Sequence, residues 1–482
     1  MTEKISMREK IGFSLGDSAA NFIFQTMMLL QLSFYTDSFG ISAAAAGWLF
    51  LVARLWGAVT DPIMGAISDR TNTRWGKFRP WILWTAVPFG IIGFLAFTTP
   101  NFGHAGKIIY AYVTYMLLML VYSANNVPYA ALSGVITGNM AERNSIASVR
   151  FIFVTLAVIA IQGFALPMVN HFGQGNSSKG YQITMGIFCA LAVVFFFITF
   201  LTTKERVKPD PKQKSSLKQD ISDLLKNRPW LIMFLVFIVM FIFLGLRNSI
   251  LLYFFKYYLD KTSMISILEV LNKGSFGLIA KLGMIGSNAD IAGNTFSIIN
   301  ILSQLVTIIG LTLSRPLANK FGKKAVFQTA IALCVLLSGI FIIISPTDIL
   351  LTLILQLLFN FAWGAGAMSV PWTMMADVAD FSDWKNNRRA TGIVFAGILI
   401  GLKVGLAIGG ALAGSLLNGY GYVANVAQTS HALFGIRMIT SIYPAAFLAI
   451  GIILLFYYQI NKSTEIQMQN ELAERRKALE QN

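Results

Sequence analysis

Apolar stretches of roughly 20 residues recur from one end of the chain to the other, and each is long enough to cross a ~30 Å hydrocarbon layer as a helix. A β-barrel would instead show spans of about 10 residues with alternating polarity. Composition removes the soluble alternative for 482 residues. Hydrophobic residues make up 55%, charged residues 12%, and mean hydropathy is +0.64, so too few polar side chains exist to cover a water-facing surface. The chain reads as an all-α integral membrane protein.

Apolar runs bounded by charged or turn residues predict twelve transmembrane helices, roughly at 11–38, 43–69, 80–99, 107–133, 147–171, 181–202, 229–256, 291–314, 325–345, 348–374, 390–418 and 434–459. The formal charge of +16 collects in alternate connections, such as Arg70 to Arg79, Lys204 to Arg228, and Lys385 to Arg389. That placement reads as membrane orientation rather than nucleic-acid binding, and it puts both termini in the cytoplasm of a multi-pass cell-membrane protein. MTEKISMREK leads directly into an apolar run without a small-residue cleavage site, so no removable signal peptide is expected. Cys189 and Cys334 lie inside spans and read as packing residues.

The polar stretch TTKERVKPDPKQKSSLKQDISDLLKNRP separates six spans from six. The expected organisation is an N-terminal six-helix bundle (1–203), a cytoplasmic linker (204–228), a C-terminal six-helix bundle (229–462) with an external connection at 257–290, and a cytoplasmic tail (463–482). Matched features support two pseudo-symmetric halves. Gly76-Lys77 and Gly322-Lys323 follow spans 2 and 8, while Pro128-Tyr129 and Pro371-Trp372 end spans 4 and 10 at a similar offset. Such an internal repeat is how many carriers alternate access around a site between halves.

Ionisable residues inside the bilayer cost about 2.5–3.5 kcal/mol each on insertion scales, so each needs a reason. Asp61 lies in span 2, about two turns above Asp69 at the cytoplasmic edge. It suits a cation or proton site; a structural ion pair with Arg54 or Lys403 is the alternative. Lys403 sits deep in span 11 among Gly397, Gly401, Gly405 and Gly409, a small-residue stripe that admits a close neighbouring helix. On span 1, Asp17, Asn21 and Gln25 form one polar stripe. Asn125 and Asn126 stand in span 4 and Arg150 in span 5. The bland alternatives are interhelical hydrogen bonds for the asparagines and an interfacial anchor for Arg150.

Amides, a carboxylate and guanidinium groups near aromatic faces, with Tyr129, Trp363 and Trp372 as candidates, suit a polyhydroxylated ligand such as a sugar. Hydrolase, metal-site and phosphate-loop patterns are missing from the sequence, so no enzyme, metal or cofactor is expected.

The segments SLGDSAANFIFQ, ARLWGAVTDPIMGAISDRTNTRWGKFRPWIL, NNVPYAALSGVIT, ERNSIASVR and VPWTMMADVADFSDWKNNRRATGIVF resemble the glycoside-pentoside-hexuronide:cation symporters, the major facilitator family that includes melibiose permease. The resemblance implies sugar contacts at Asn21, Asn126 and Arg150 and a functional lysine at Lys403. The family's tryptophan on span 4 falls at Tyr129-Ala130, which leaves the stacking partner open. Family members carry two acids on span 2 as D-x-x-x-D; here the pattern is Gly57-x-x-x-Asp61. Ser123 keeps a family oxygen on span 4, whereas Leu399 replaces a hydroxyl on span 11.

Charge arithmetic then separates coupling ions. Two carboxylates against one lysine leave a net negative site for Na⁺, but Asp61 against Lys403 sums to zero. Sodium would have to be desolvated with one carboxylate and too few oxygens, so proton coupling through Asp61 is expected and Na⁺ coupling weak or absent. An uncoupled uniporter or exchanger is the second expectation, and a lipid or lysolipid flippase on the same fold the third. Asp61, Arg54, Ser123 and Lys403 form the expected coupling group, and Asp17, Asn21, Gln25, Asn126, Tyr129, Arg150, Trp372 and Lys403 the expected sugar contacts. Asp69, Arg70, Arg74, Lys77 and Arg79 are the expected gate. The expected partners are a small sugar, a coupling cation and membrane lipid, with the protein a monomer.

Overall fold

The computed structural model describes residues 5–137, 140–206, 224, 226–274, 290–386 and 391–480. Regular structure among them is helical; the only bridge, Thr73 with Gly76, closes a turn. We number the helices α1 Met7–Ser33, α2 Ala43–Arg70, α3 Arg79–Leu95, α4 His104–Val135, α5 Met140–Gly173 and α6 Ser177–Thr202, then α7 Arg228–Tyr253 and α8 Lys261–Gly274. The remainder are α9 Ile291–Phe321, α10 Lys323–Ile340, α11 Ile349–Ala362, α12 Val370–Asn386, α13 Thr391–Gly419, α14 Ser430–Thr440, α15 Ile442–Phe456 and α16 Lys462–Glu480.

Ten helical stretches among the described residues are long and apolar enough to cross a membrane. The other two expected spans are helical as well. α1 carries the polar stripe that lowers its hydropathy, and α3 is a shorter apolar helix. Local chemistry sets the starts: Ser6, Ser42, Asn176 and Asn227 each accept a backbone N–H from three residues on, and Pro80 and Pro229 occupy first-turn positions that need no donor.

Two of the expected spans are divided into separate α-helices. Span 10 continues past residue 374: α11 leads through a π-helical turn at Trp363–Ala367 into α12, which ends at Asn386. Span 12 breaks between α14 and α15, where Pro444 lacks the N–H that would bond the Thr440 carbonyl.

The chain forms two compact units. The first comprises Met1–Pro211, Leu268–Asn300 and Gly410–Ala432; the second comprises Lys212–Ile267, Ile301–Gly409 and Leu433–Asn482. Within the first, α1 packs on α5 and α6, α3 on α4 and α6, and α2 on α4. This unit takes in one end of α9 and of α13 as well. Asn170 donates to Asp290 at 3.0 Å, and Tyr422 and Asn425 donate to the Asp37 carboxylate and carbonyl, each at 2.7 Å.

Within the second, α7 packs on α15 and α10 on α15 and α11. The glycine stripe of α13 lies against α7: a Cβ at Gly405 would meet the Ile238 carbonyl at 2.5 Å, and one at Gly409 the Ile242 carbonyl at 2.6 Å. The expected close helix approach is present and α7 is the partner.

Of the connection at 257–290, residues 275–289 lie outside the described residues, as do 207–223 of the linker. The described part holds α8, which buries Met264, Ile267 and Leu268. Asp260 accepts the Ser263 N–H at 2.9 Å, a bond that holds its carboxyl below the usual carboxylate range.

Candidate functional site

The stripe on α1 is a hydrogen-bonded row. Asn21 Nδ2 donates to the Asp17 carboxylate at 3.2 Å and to the Asp17 carbonyl at 2.9 Å, and Gln25 Nε2 donates to Asn21 Oδ1 at 3.3 Å. Because α5 packs along α1, Arg150 reaches the same row, with Nε 3.3 Å from Asp17 Oδ2. All four side chains are partly exposed. An ion pair of that exposure adds little stability. Its effect is geometric: it aims the guanidinium at the α1 row.

α4 contributes a further polar pair in this unit. Asn126 Nδ2 donates to the Tyr122 hydroxyl at 3.2 Å, and the Tyr122 ring stacks on Phe24 with centroids 5.6 Å apart. Asn125 points elsewhere, buried and donating to Thr85 Oγ1 at 2.8 Å, the interhelical bond that was the alternative for the asparagines. The structure corrects the reading of Tyr129. Its ring stacks on Phe13 at 4.6 Å, its hydroxyl donates to the Phe13 carbonyl at 2.7 Å, and 2% of it is exposed, so packing occupies the residue. Trp372, in the second unit, is partly exposed and stands edge-on to Phe237 at 5.1 Å.

On α2, Asp61 is partly buried immediately before Pro62, whose missing N–H leaves a helix carbonyl one turn earlier without its donor. Beside it Thr60 Oγ1 donates to Ser123 Oγ at 3.0 Å, both residues being buried. A carboxylate, two hydroxyls and a released carbonyl thus belong to one short stretch of α2 and the facing turn of α4. Gly57 leaves open space: a Cβ there would meet nothing within 4 Å. Arg54 is engaged within its own unit, with Nη2 2.8 Å from Met28 Sδ and the guanidinium over the Phe50 ring. Lys403 is partly exposed on α13 in the second unit.

Among the expected gate residues, the Asp69 side chain lies outside the described residues, and Arg70 and Arg74 are exposed. Arg74 lies over the Trp75 ring at 4.6 Å. Arg79 is bound locally, donating to the Phe200 carbonyl at 2.6 Å and the Trp75 carbonyl at 3.3 Å.

Sequence reasoning passed over three features. Tyr122 was one aromatic among many, although it stands one turn before Asn126. Arg247, an arginine inside span 7, is 2% exposed and donates to Ser338, Gln356 and the Thr440 carbonyl. Lys323 sits 2.7 Å from both Asp377 carboxylate oxygens and 2.9 Å from Glu465, a three-charge cluster at the second unit's end. A cation in mid-span and an acid inside an apolar helix were the available signals. No group of three or more potential metal ligands occurs among the described residues.

The sequence profile of the MFS/sugar transport protein family matches residues 12–280 and 288–462. The chain belongs to that family. Its relatives include the symporter YnaJ of Bacillus subtilis, 35% identical over 98% of this chain and 96% of the relative. The putative glycoside/cation symporter YagG of Escherichia coli is 36% identical with the same two coverages, and the isoprimeverose transporter of Lactiplantibacillus pentosus is 34% identical over 94% and 89%. Solved structures share the fold: a bacterial homologue of the transporter Spinster superimposes with a TM-score of 0.65 at 13% identity, covering 96% and 98% of the two chains. The nucleoside transporter NupG does so at 0.61 and 14%, covering 94% and 98%. A member of the MFS/sugar transport family on the major facilitator fold is a multi-pass carrier and not an enzyme.

Proposed function

We propose that the protein carries a glycoside or short sugar across the cell membrane by alternating access, driven by protons through Asp61, with both termini in the cytoplasm. The observation that carries this reading is the row Arg150–Asp17–Asn21–Gln25, with the Asn126–Tyr122 pair joined to the same helix α1 through the Tyr122–Phe24 ring contact. A sugar hydroxyl both donates and accepts, and this row offers a guanidinium, a carboxylate and two amides within one unit. Tyr122 on Phe24 adds an aromatic surface for the C–H face of a ring. The names of the relatives, among them a glycoside/cation symporter and an isoprimeverose transporter, point to the same ligand class.

The substrate contacts proposed are Asp17, Asn21, Gln25, Asn126, Tyr122 and Arg150, all within the first unit. Asp61 is proposed as the proton carrier, with Thr60 and Ser123 as neighbouring oxygens. A carboxyl group inside a membrane protein can take up and release a proton near neutral pH, and a single carboxylate gives Na⁺ little charge to offset its desolvation. The single acid also favours a second reading, exchange or uniport without a coupling ion.

Purified protein in proteoliposomes, given labelled isoprimeverose and a panel of pentosides and short glycosides, tests the proposal. A pH gradient at clamped voltage should accumulate a member of the panel. Accumulation under a sodium gradient alone would overturn proton coupling, and downhill flux without accumulation would favour the uniport reading.

A further inference from the structure

The loop between α2 and α3 is closed by a residue that none of the expected gating contacts includes. Glu205, just past the end of α6, accepts three backbone N–H groups in a row: Lys77 at 2.9 Å on one carboxylate oxygen, Phe78 at 2.8 Å and Arg79 at 2.9 Å on the other. These donors lie at and just before the α3 N-terminus, where helix geometry leaves N–H groups without partners and favours negative charge. Gly76 makes room. Its φ is +110°, and a Cβ there would stand 2.4 Å from the Glu205 carboxylate carbon.

The residues on either side of Glu205 are tied down as firmly. Lys204 N–H donates to Glu9 at 3.0 Å, and the Arg206 guanidinium takes both Glu9 carboxylate oxygens at 2.8 and 2.9 Å. Arg206 N–H donates to the Val135 carbonyl at 2.8 Å. Three consecutive residues therefore bind the start of α1, the end of α4 and the entrance to α3.

We propose that Glu205 is a positioning residue that makes the 71–79 loop and the beginning of the inter-half linker a single moving piece. The inference rests on the chain being a carrier whose halves move. Bound through Glu205, residues 204–206 and the entrance to α3 hold each other in place, so that neither moves without the other. Charge and two acceptor oxygens are both required. In Glu205→Gln the amide oxygen could keep two of the N–H bonds, but the NH₂ group would face the third donor with a donor of its own.

The test needs no substrate. The two native cysteines are buried, so a single Asn72→Cys in the exposed part of the loop reports its mobility by maleimide labelling of purified protein in nanodiscs. Ser177→Cys, exposed at the start of α6, is the control. Glu205→Gln should raise labelling at position 72 about tenfold, as expected for losing charge-assisted hydrogen bonds, without changing it at 177. Gly76→Ala, which keeps the carboxylate but fills its place, should do the same. Unchanged labelling at 72 in both variants overturns the proposal, as does an equal rise at 72 and 177, which would mean global loosening. Uptake of labelled isoprimeverose by Glu205→Gln should show a lower maximal rate with unchanged half-saturation. A wild-type protein that does not carry isoprimeverose sinks that choice of substrate alone, and the labelling still decides the role of Glu205.

Discussion

The Arg247 guanidinium of α7 donates to the Thr440 carbonyl at 3.2 Å, the carbonyl left without a helical donor by Pro444 four residues on. The same group reaches Ser338 at 3.0 Å and Gln356 at 2.8 Å and lies against Phe341 and Phe359 at 4.7 and 4.3 Å. One planar fork thus joins α7, α10, α11 and the α14–α15 break. Arg247→Ala opens a cavity and strands three acceptors, which should cost about 3 kcal/mol. Arg247→Lys keeps the charge but cannot span the three partners. Thermal unfolding in detergent should show both variants well below wild type, and a lysine variant of wild-type stability would disprove the fork as the cause.

The Asp17–Arg150 pair aims a guanidinium rather than stabilising the bundle. Asp17→Asn should leave unfolding temperature nearly unchanged and weaken glycoside binding about tenfold, the scale of one charge-assisted hydrogen bond. Titration calorimetry with the glycoside identified by the uptake panel checks both halves of that expectation when paired with a melting curve.

At Asp61 the expected result of substitution is a split between two assays. Asp61→Asn should abolish accumulation against a gradient while sugar exchange continues. Uphill uptake surviving in that variant removes Asp61 from the coupling role. The open space at Gly57 permits the converse experiment, because Gly57→Asp restores two carboxylates one turn apart without a clash at Cβ. This variant should acquire sodium-stimulated uptake; stimulation that stays absent argues against charge as the determinant.

α16 should owe its docking to apolar burial more than to charge. Met468 and Leu472 are 0% and 4% exposed, and truncating either to Ala should cost about 2–4 kcal/mol. The Lys323–Glu465 pair is partly exposed and worth about 1 kcal/mol or less. Tryptic release of the tail should accelerate far more in Met468→Ala than in Glu465→Ala. The reverse order would show that the ion pair holds the helix.

Much of the fold was legible because bilayer physics is written in one dimension. A 20-residue apolar run has few alternatives to a helix, and the Gly397–Gly409 stripe announced a close contact before its partner was known. The stripe Asp17, Asn21, Gln25 was legible for the same reason: four-residue spacing puts side chains on one face of one helix. Tyr129 was misread because an aromatic beside Asn126 looks alike in sequence whether its ring faces a ligand or, as here, Phe13. Arg247 was missed because its three acceptors come from helices far apart in the chain, and Glu205 because its partners are backbone N–H groups, which every residue but proline carries.

The sequence by itself determined that this chain crosses a membrane many times, which helices carry polar faces, and that Asp61 stands inside span 2 with glycine one turn before it. The tertiary structure alone decided which partners those polar groups take. It placed Asn125 against Thr85, Tyr129 against Phe13, and the Glu205 carboxylate in the space left by Gly76. The physical reason is range: helix formation and membrane insertion depend on neighbours along the chain, whereas satisfying a buried hydrogen bond depends on whichever helix packing brings within about 3 Å.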